Sequence, residues 1–399
     1  MRDINDIVMV DYLRTPFSRS RPREPERDLL NCWRGDELLA ILMKELIKKN
    51  KINPEEIDEV ITGCATAVWE NWSYGAKFPL FLAELPFKIA SQQIDQQCAS
   101  SMMAIRAGVL AIAAGYADIV FAGGYEHMTH VPMGGGQYVS QPPEFSNHSV
   151  LPDIDFTYVM SMGLTAEKLF TRTKNASKEE MDQWSMESHL KAAKAQAEGY
   201  FKGEILPIEV TLPDGKKQIV DRDLSVRGDT NMEGLRSLKP AFKPDGVITA
   251  GNSSPLNAGA SMTVLMPREK AKKMGLKPMC SFVSFGTAGV DPTVMGMGPV
   301  PSSQKALANA KMSVKDIDFW EINEAFAIVP IYAVKELGID PKKVNIKGGG
   351  VAIGHPLGAS GARITGTLAR ILREKNATYG LATLCVGGGQ GHAVIIKKE

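Results

Sequence analysis

The chain has 399 residues, which is enough for two domains with large cores and a further segment. Its 46 lysine and arginine residues are balanced by 45 acidic residues, so it lacks the excess positive charge that binds nucleic acid or an anionic membrane surface. Ligands must therefore be inferred from individual sites.

Five cysteines are spread through the chain, at Cys32, Cys64, Cys98, Cys280 and Cys385. Their odd number and wide spacing do not fit a disulfide framework and favour a reducing compartment. The first residues show neither a signal peptide nor an arginine-rich presequence, and we expect no apolar run of membrane-spanning length. The sequence thus predicts a cytoplasmic protein in which each thiol is either structural or reactive.

Strand and helix patterns alternate from the beginning of the chain. A strand is predicted at 7–11, a helix at 35–49 and a second strand at 60–64. A further strand at 91–97 leads directly to Cys98, and the small apolar residues that follow are typical of a buried helix. This alternation predicts the α/β class.

Cys98 is predicted to stand at the N-terminus of that buried helix. Unpaired N–H groups and the helix dipole stabilise negative charge there, which favours the thiolate and makes Cys98 a candidate nucleophile. The alternative is a small thiol buried in the core.

Composition changes between residues 129 and 250. Glycines at 134–136 and prolines at 142–143 precede a polar helical stretch at 177–199 and a charged region at 216–236. A segment inserted after a sheet usually carries substrate contacts. Its helical periodicity favours that interpretation over a plain linker.

Two pairs of landmarks recur at nearly the same offset. The pair Ile57-Asp58 returns as Ile317-Asp318, an offset of 260 (317 − 57), and Cys98 and His355 lie 257 apart (355 − 98). Self-similarity at a fixed spacing predicts a duplicated α/β domain. The alternative is that any two strand–helix–strand units look broadly alike.

His355 lies between a glycine-rich stretch and Pro356, which places it on a constrained turn. If the two halves pack about a pseudo-twofold axis, His355 and Cys98 converge as base and nucleophile. A surface histidine is the alternative.

Two further residues follow predicted strands. Cys385 ends an apolar strand at 380–384 and precedes Gly387–Gly389, whose free N–H groups suit an oxyanion hole, although a triple glycine also makes a tight turn. Asn323 stands at the end of a strand, a usual place for site residues in open α/β sheets. A role as a helix N-cap is equally compatible with its position.

Four sequence blocks carry a family resemblance: CASSMMA from Cys98, NEAFA from Asn323, GGGVAIGHPLGASGARI from Gly348 and LCVGGGQGHA from Leu384. With RTPF from Arg14, PAF from Pro240 and TAGNSS from Thr249, they resemble the thiolase family in order, spacing and length over essentially the whole chain.

The resemblance implies a duplicated α/β fold of five layers, αβαβα, with a loop domain inserted in the first half. The expected domains are residues 1–128 with 251–275, the inserted coenzyme-A-binding domain 129–250, and residues 276–399. Dimers or tetramers are the implied assembly.

The resemblance also implies the role of each residue. Cys98 would accept the acyl group, His355 would activate it, and Cys385 would be the second acid or base. Asn323 would hold a water that completes one oxyanion hole with His355, and the N–H groups of Cys98 and Gly387 would form the other.

Coenzyme A would be a co-substrate, with no permanently bound cofactor. Its implied contacts are Arg227, Phe242, Ala250, Ser254, Met162, Met295 and Phe326. Plain core packing is the alternative for the methionines and phenylalanines.

Two departures from the synthetic acetoacetyl-CoA thiolases stand out. Ser161 replaces a common histidine and Gly234 replaces a common serine, and the residues 126–133 also favour a degradative 3-ketoacyl-CoA thiolase of bacterial β-oxidation. The alternatives are an acetyl-CoA acetyltransferase and a non-catalytic scaffold that binds coenzyme A or lipid.

The HxxH pattern of His127 and His130 suggests a metal site, but no third ligand is evident and we expect no metal. Residues 28–33, with the neighbouring charged residues, are a candidate surface for a partner in a β-oxidation complex.

Overall fold

The computed structural model describes residues 2–133 and 155–399, so the predicted glycine and proline features at 134–136 and 142–143 lie outside it. The first part of the chain contains strands β1 (Ile7–Arg14) and β2 (Ser18–Arg19), helix α1 (Gly35–Asn50), β3 (Glu59–Gly63), α2 (Lys77–Leu82), β4 (Ala90–Ile94), α3 (Ser100–Ala114) and β5 (Val120–His127). These elements confirm the predicted alternation, and the predicted strands differ from them at one or both ends.

The described residues between β5 and β8 form a separate set of elements: α4 (Phe156–Met160), α5 (Met162–Thr173), α6 (Lys178–Ala197), β6 (Ile208–Thr211), β7 (Lys217–Val220) and α7 (Met232–Arg236). Strands β6 and β7 pair only with each other, so none of these elements extends the main sheet. The sequence stretch predicted as helical corresponds to α6, whose Ser177 and Glu180 form a reciprocal capping box.

The remaining elements are β8 (Asn257–Pro267), α8 (Arg268–Lys273), β9 (Cys280–Gly289), α9 (Pro299–Ala310), β10 (Phe319–Ile322), α10 (Ile328–Leu337), α11 (Gly350–Ile353), α12 (Leu357–Glu374), β11 (Tyr379–Val386) and β12 (Gln390–Lys398). Short 3₁₀ turns connect several of them, and one of these, Gln97–Ala99, carries Cys98.

The strand order of the main sheet shows the duplication directly. It is β10-β11-β12-β9-β1-β8-β5-β3-β4, with β2 paired to β8. From the centre outward, the first half runs β1-β8-β5-β3 and the second half runs β9-β12-β11-β10. In each half the first two strand pairs are antiparallel and the third pair is parallel. The halves join where Val8 and Met9 of β1 pair with Ser281 and Cys280 of β9.

The repeated aspartates make the same hydrogen bonds in both halves. Asp58 Oδ2 accepts from the N–H groups of Asp118 at 2.7 Å and Ile119 at 3.0 Å. Asp318 Oδ2 accepts from those of Thr378 at 2.8 Å and Tyr379 at 3.0 Å. Each carboxylate thus joins the beginnings of two neighbouring parallel strands.

The layers follow from which helix packs on which strand. Helices α3 and α12 pack against each other and lie between the half-sheets, with α3 on β3 and β5 and α12 on β10 and β11. Helix α1 covers the outer face of the first half and α9 that of the second. The five-layer prediction is confirmed.

The expectation that no apolar run reaches membrane-spanning length is wrong for one stretch. Residues 97–114 have the length and composition of a membrane-spanning helix. Most of the stretch is buried, and Ile105, Val109 and Ile112 of α3 belong to the core between the half-sheets. A helix that is apolar on every side fits such a central layer.

Candidate active site

Cys98 lies on the 3₁₀ turn just before α3 and is 5% exposed. Burial raises the pKa of its thiol to about 11, although hydrogen bonds from the N–H groups of Gly387 and of Cys98 itself act to lower it. Desolvation thus opposes the thiolate that a helix N-terminus would favour, and a pKa of about 11 corresponds to a thiol that is mostly protonated at neutral pH.

His355 occupies the turn between α11 and α12 and is buried, so the surface alternative is wrong. Gly354 makes this turn with a φ of 116°, a backbone conformation that favours glycine. The His355 N–H donates to Asn257 Oδ1 at 2.8 Å, which ties the turn to the first residue of β8.

The hydrogen bonds around His355 select one tautomer. Ser360 Oγ donates to the carbonyl of Pro356 at 2.8 Å and lies 2.5 Å from His355 Nδ1. Because the serine hydroxyl has only one proton, Nδ1 must be the donor to Ser360, which leaves the lone pair on Nε2. Burial, and secondarily Arg363, lowers the pKa of His355 to about 3, so this imidazole is neutral.

Asn323 follows β10 directly, and its Nδ2 lies 3.2 Å from His355 Nε2. Its Oδ1 is buried and makes no hydrogen bond within the described chain. The N-cap alternative is wrong, because the next helix, α10, has Ala327 at its N-cap.

Cys385 is the last residue but one of β11 and is fully buried. Burial and the proximity of Cys98 raise the pKa of its thiol well above the usual value. The following glycines form the turn into β12, and Gly388 and Gly389 both have a φ of 80°. This turn carries the Gly387 N–H to the sulfur of Cys98.

The two halves bring these residues to one place. The N-terminal turns of α3 and α12 are in contact, since the Ala362 N–H donates to Ser101 Oγ at 2.9 Å. The turn that carries Cys98 packs on α12 and on β11, which carries Cys385. The folded chain therefore brings Cys98, His355, Asn323 and Cys385 together where the half-sheets meet.

A cavity of about 450 Å³ lies beside the inserted segment. It is lined by Arg19, His189, Ser225, Arg227, Asp229, Thr230, Asn231, Gly234, Leu235, Leu238, Ala250, Gly251, Ser253, Pro255 and Val351. Two of the predicted coenzyme A contacts, Arg227 and Ala250, line it. Gly234, which stands where a serine is common in the synthetic thiolases, lines it as well.

The other five predicted contacts do not line this cavity. Met295 and Phe326 are buried in a core cluster against which Met162 also packs. Phe242 is 41% exposed and meets the ring of Phe326 edge-on at 5.9 Å, and the N–H of Ser254 donates to the carbonyl of Ala325. Core packing therefore describes Met295 well.

The sequence analysis missed a second arginine that lines the same cavity as Arg227. Arg19 on β2 also lines the cavity, and burial followed by the charges of Arg21 and Arg227 lowers its pKa. His189 Nδ1 accepts from the Arg227 N–H at 3.2 Å and so holds its backbone. The sequence could have indicated Arg19, because it lies two residues after the RTPF block that begins at Arg14.

The expectation that HxxH has no third ligand is wrong, because Glu70 joins His127 and His130 within 4.8 Å. The two rings stack at 3.8 Å with an angle of 17°, so their in-plane lone pairs do not converge. Glu70 and Asn31 hydrogen-bond the two ring nitrogens of His130. The ring nitrogens of His130 are thus occupied by hydrogen bonds, and the stacked rings do not suit a shared metal ion.

The candidate partner surface at 28–33 is largely internal. Asp28 and Leu30 are buried, and Asp28 accepts from Thr129 Oγ1 at 2.5 Å. Of this segment only Cys32 is exposed, whereas the preceding residues 22–27 are exposed throughout.

Comparison with known proteins identifies the family of the chain. Residues 7–269 match the thiolase N-terminal domain model and residues 276–398 match the thiolase C-terminal domain model. The 3-ketoacyl-CoA thiolase of Vibrio vulnificus is 41% identical over 99% of this chain and 100% of its own length. That of Marinobacter nauticus is 40% identical over 98% and 97%. The crystal structure of the Bacillus anthracis acetyl-CoA acetyltransferase superposes with a TM-score of 0.86 at 35% identity, covering 99% of both chains. The chain therefore belongs to the thiolase family and is an acyltransferase.

Proposed function

We propose that this thiolase cleaves 3-ketoacyl-CoA with coenzyme A to acetyl-CoA and a shortened acyl-CoA, as a step of fatty-acid β-oxidation in the cytoplasm. The observation that carries the proposal is the cluster of Cys98, His355, Asn323 and Cys385 at the junction of the halves, with the Gly387 N–H on the Cys98 sulfur. Its relatives named 3-ketoacyl-CoA thiolase support the direction of the reaction.

The first half-reaction uses the neutral resting pair. The thiol proton of Cys98 passes to His355 Nε2 as the sulfur attacks the keto carbon of the substrate. The bond between C2 and C3 then breaks, which leaves the acyl group on Cys98 and an acetyl-CoA enolate. Cys385 protonates the enolate carbon, a role supported by its raised pKa, which keeps the proton on its sulfur at neutral pH.

The second half-reaction collects the acyl group in a ping-pong sequence. His355 first passes the proton taken from Cys98 to Cys385, which restores the neutral imidazole and the thiol. The thiol of an incoming coenzyme A then gives its proton to His355 Nε2 and attacks the acyl carbon, the bond to the Cys98 sulfur breaks, and the departing Cys98 sulfur takes the proton back from His355. The N–H groups of Cys98 and Gly387 suit the oxyanion of one step, and the buried Oδ1 of Asn323 suits a water that serves the other with His355.

Coenzyme A is the proposed occupant of the 450 Å³ cavity beside the inserted segment. Arg19 and Arg227 offer two positive charges for its phosphate groups, in keeping with the geometry that guanidinium and phosphate share. Phe242, Ala250, Ser254, Met162, Met295 and Phe326 remain proposed contacts along the rest of the coenzyme. The loop domain 129–250 would supply most of this site.

A homodimer, or a tetramer built from it, is the proposed assembly. Strand β4 is the edge of the sheet, paired only with β3 within the described residues. Exposed aromatic side chains occur in the segment that precedes it in the chain, among them Trp72, Tyr74 and Phe87. Unpaired strand edges and apolar patches of this kind mark association surfaces. For a multienzyme partner, the exposed charged residues 22–27 are the proposed contact, since most of 28–33 is buried or half-buried.

Substrate length decides between cleavage of long chains and the alternative, acetyl-CoA acetyltransferase, which the Bacillus anthracis neighbour favours. We expect a higher kcat/KM for thiolysis of a 3-ketodecanoyl-CoA than of acetoacetyl-CoA, measured as acetyl-CoA formed. Strict specificity for the four-carbon substrate would favour the acetyltransferase.

Activity itself tests the scaffold alternative. Replacing the nucleophile by Cys98→Ser is expected to lower kcat at least about a thousandfold. Undiminished acyl transfer by that variant would refute the mechanism.

A further inference from the structure

Glu126 is a buried carboxylate that the proposed reaction does not use. It lies near the C-terminal end of β5, within the otherwise uncharged sequence VFAGGYEH, and is 0% exposed. Burial raises its pKa, while hydrogen bonds from backbone N–H groups act against that rise. A buried charge requires partners, so its donors indicate its role.

One oxygen of Glu126 bridges the two halves of the molecule. Its Oε2 accepts from the Ala65 N–H at 2.9 Å and from the Gly358 N–H at 2.9 Å. Its Oε1 accepts from the Thr66 N–H at 3.1 Å and from Asn71 Nδ2 at 3.2 Å. The Cys64 thiol also donates to Oε1, at 3.6 Å, so Oε2 has two donors and Oε1 has three.

The donors in the first half lead to the nucleophile. Ala65 and Thr66 follow β3, and the Ala65 carbonyl accepts from Gln97 Nε2 at 3.3 Å. Gln97 directly precedes Cys98, so Glu126 supports the turn on which the thiol stands.

The donor in the second half leads to the base. Gly358 lies in the first turn of α12, three residues after His355, and the N-cap residue of α12, Pro356, offers no side chain to the free N–H groups. Glu126 supplies that missing cap from β5, where a carboxylate is also favoured by the helix dipole.

Close backbone packing leaves this junction little freedom. A Cβ at Gly358 would lie 2.2 Å from the Tyr125 carbonyl oxygen, and a Cβ at Gly124 would lie 2.3 Å from that of Gly358. The backbone of β5 and the first turn of α12 are thus in direct contact beside Glu126.

We propose that Glu126 is a positioning residue that fixes Cys98 and His355 relative to each other across the junction of the two halves. The inference rests on the proposed function, because the distance between these two residues matters only if they react together. A displacement of about 1 Å in a reacting pair costs on the order of a hundredfold in rate.

The carboxylate also has an electrostatic effect on Cys98. Measuring that effect distinguishes a loss of positioning from a loss of folding. Its negative charge, like that of Asp95, opposes ionisation of Cys98. The titratable groups beside them include the thiols of Cys64, which is hydrogen-bonded to Glu126, and of Cys385, and the neutral imidazole of His355. Removing the charge therefore makes the thiolate easier to form while the aligned geometry is lost.

The test compares Glu126→Gln with Asp58→Asn in the full-length protein. Gln has the same shape, but its amide NH₂ is a donor and cannot accept the hydrogen bond of a backbone N–H group. We expect kcat to fall about a hundredfold with KM for coenzyme A changed less than about threefold. At the same time, iodoacetamide should alkylate Cys98 faster than in the wild type at pH 8.

Asp58→Asn is the matched control, since Asp58 accepts two backbone N–H groups at the opposite end of β3 and β5. Its kcat should stay within about twofold of the wild type. If Glu126→Gln does not fold, Glu126→Asp keeps the charge but is too short to reach both Ala65 and Gly358, and the same loss of kcat is expected.

Wild-type kcat in a folded Glu126 variant would overturn this inference and leave the proposed function intact. An inactive wild-type protein, or an active Cys98→Ser variant, would instead overturn the proposed function. A loss of kcat accompanied by slower alkylation of Cys98 would also overturn the inference, because it would indicate a collapsed site.

Discussion

At the scale of single residues, burial decides the state of the reactive groups. Cys98 has a pKa of about 11 and His355 one of about 3, so the pair rests as thiol and neutral imidazole. An ion pair would require the charges to be stabilised before the substrate arrives. In the proposed reaction the charge forms only as the sulfur attacks, when the proposed oxyanion donors can respond to it.

Alkylation of Cys98 should therefore depend steeply on pH. Because only the thiolate reacts, the rate with iodoacetamide is expected to rise about tenfold for each pH unit between pH 7 and 9. Peptide mass spectrometry measures it, with exposed Cys32 as the internal reference. A rate at Cys98 that is independent of pH over this range would show a preformed thiolate.

At the scale of elements, the site depends on how closely α3 and α12 approach. Gly361 permits this contact, since a Cβ there would lie 2.4 Å from the backbone nitrogen of Met102. The two helices carry the turns of Cys98 and His355 at their N-terminal ends. Their separation therefore sets the separation of the reacting groups.

Gly361→Ala should accordingly force α3 and α12 apart. Overpacking of this kind costs about 1–3 kcal/mol in the free energy of unfolding, and we expect kcat to fall as well. Denaturant unfolding and steady-state kinetics measure the two effects. Gly289→Ala is the control, because its nearest neighbour would lie 4.0 Å away, and both quantities should change little. Equal stability of the two variants would contradict the packing argument.

At the scale of the whole molecule, several histidines are buried in the neutral form. The pKa is lowered by burial to about 4 in His189 and to about 3 in His355 and His392. Below pH 6.5 the unfolded chain binds these protons and the folded protein does not. Stability is therefore lost as the pH falls from 6.5 toward the folded values.

Each of these histidines should lower the free energy of unfolding by roughly 1.4 kcal/mol per pH unit in that range. Thermal unfolding between pH 7 and 5 measures the slope. His392→Gln removes one of the three groups and should give a visibly shallower slope than the wild type. Carboxylates contribute equally to both proteins, so an unchanged slope would contradict the assignment to His392.

The oligomeric state is also a property of the whole molecule. Trp72→Lys would place a charge in the proposed dimer surface and should shift the protein toward a monomer in light scattering. Tyr116→Lys alters an aromatic side chain that is 88% exposed just beyond α3, and should leave the mass unchanged. A monomeric wild type would remove the proposal.

The sequence by itself determined the features that depend on local pattern and spacing. The period of apolar residues predicted the strands and helices, the recurring Ile-Asp pairs predicted the duplication, and the motifs located Cys98, His355, Asn323 and Cys385. Only the tertiary structure decided the protonation states, because desolvation depends on what covers a group. It also showed the contacts of Arg19, Glu70 and Glu126, because their neighbours lie far away in the chain: Glu126 and Gly358 are 232 residues apart.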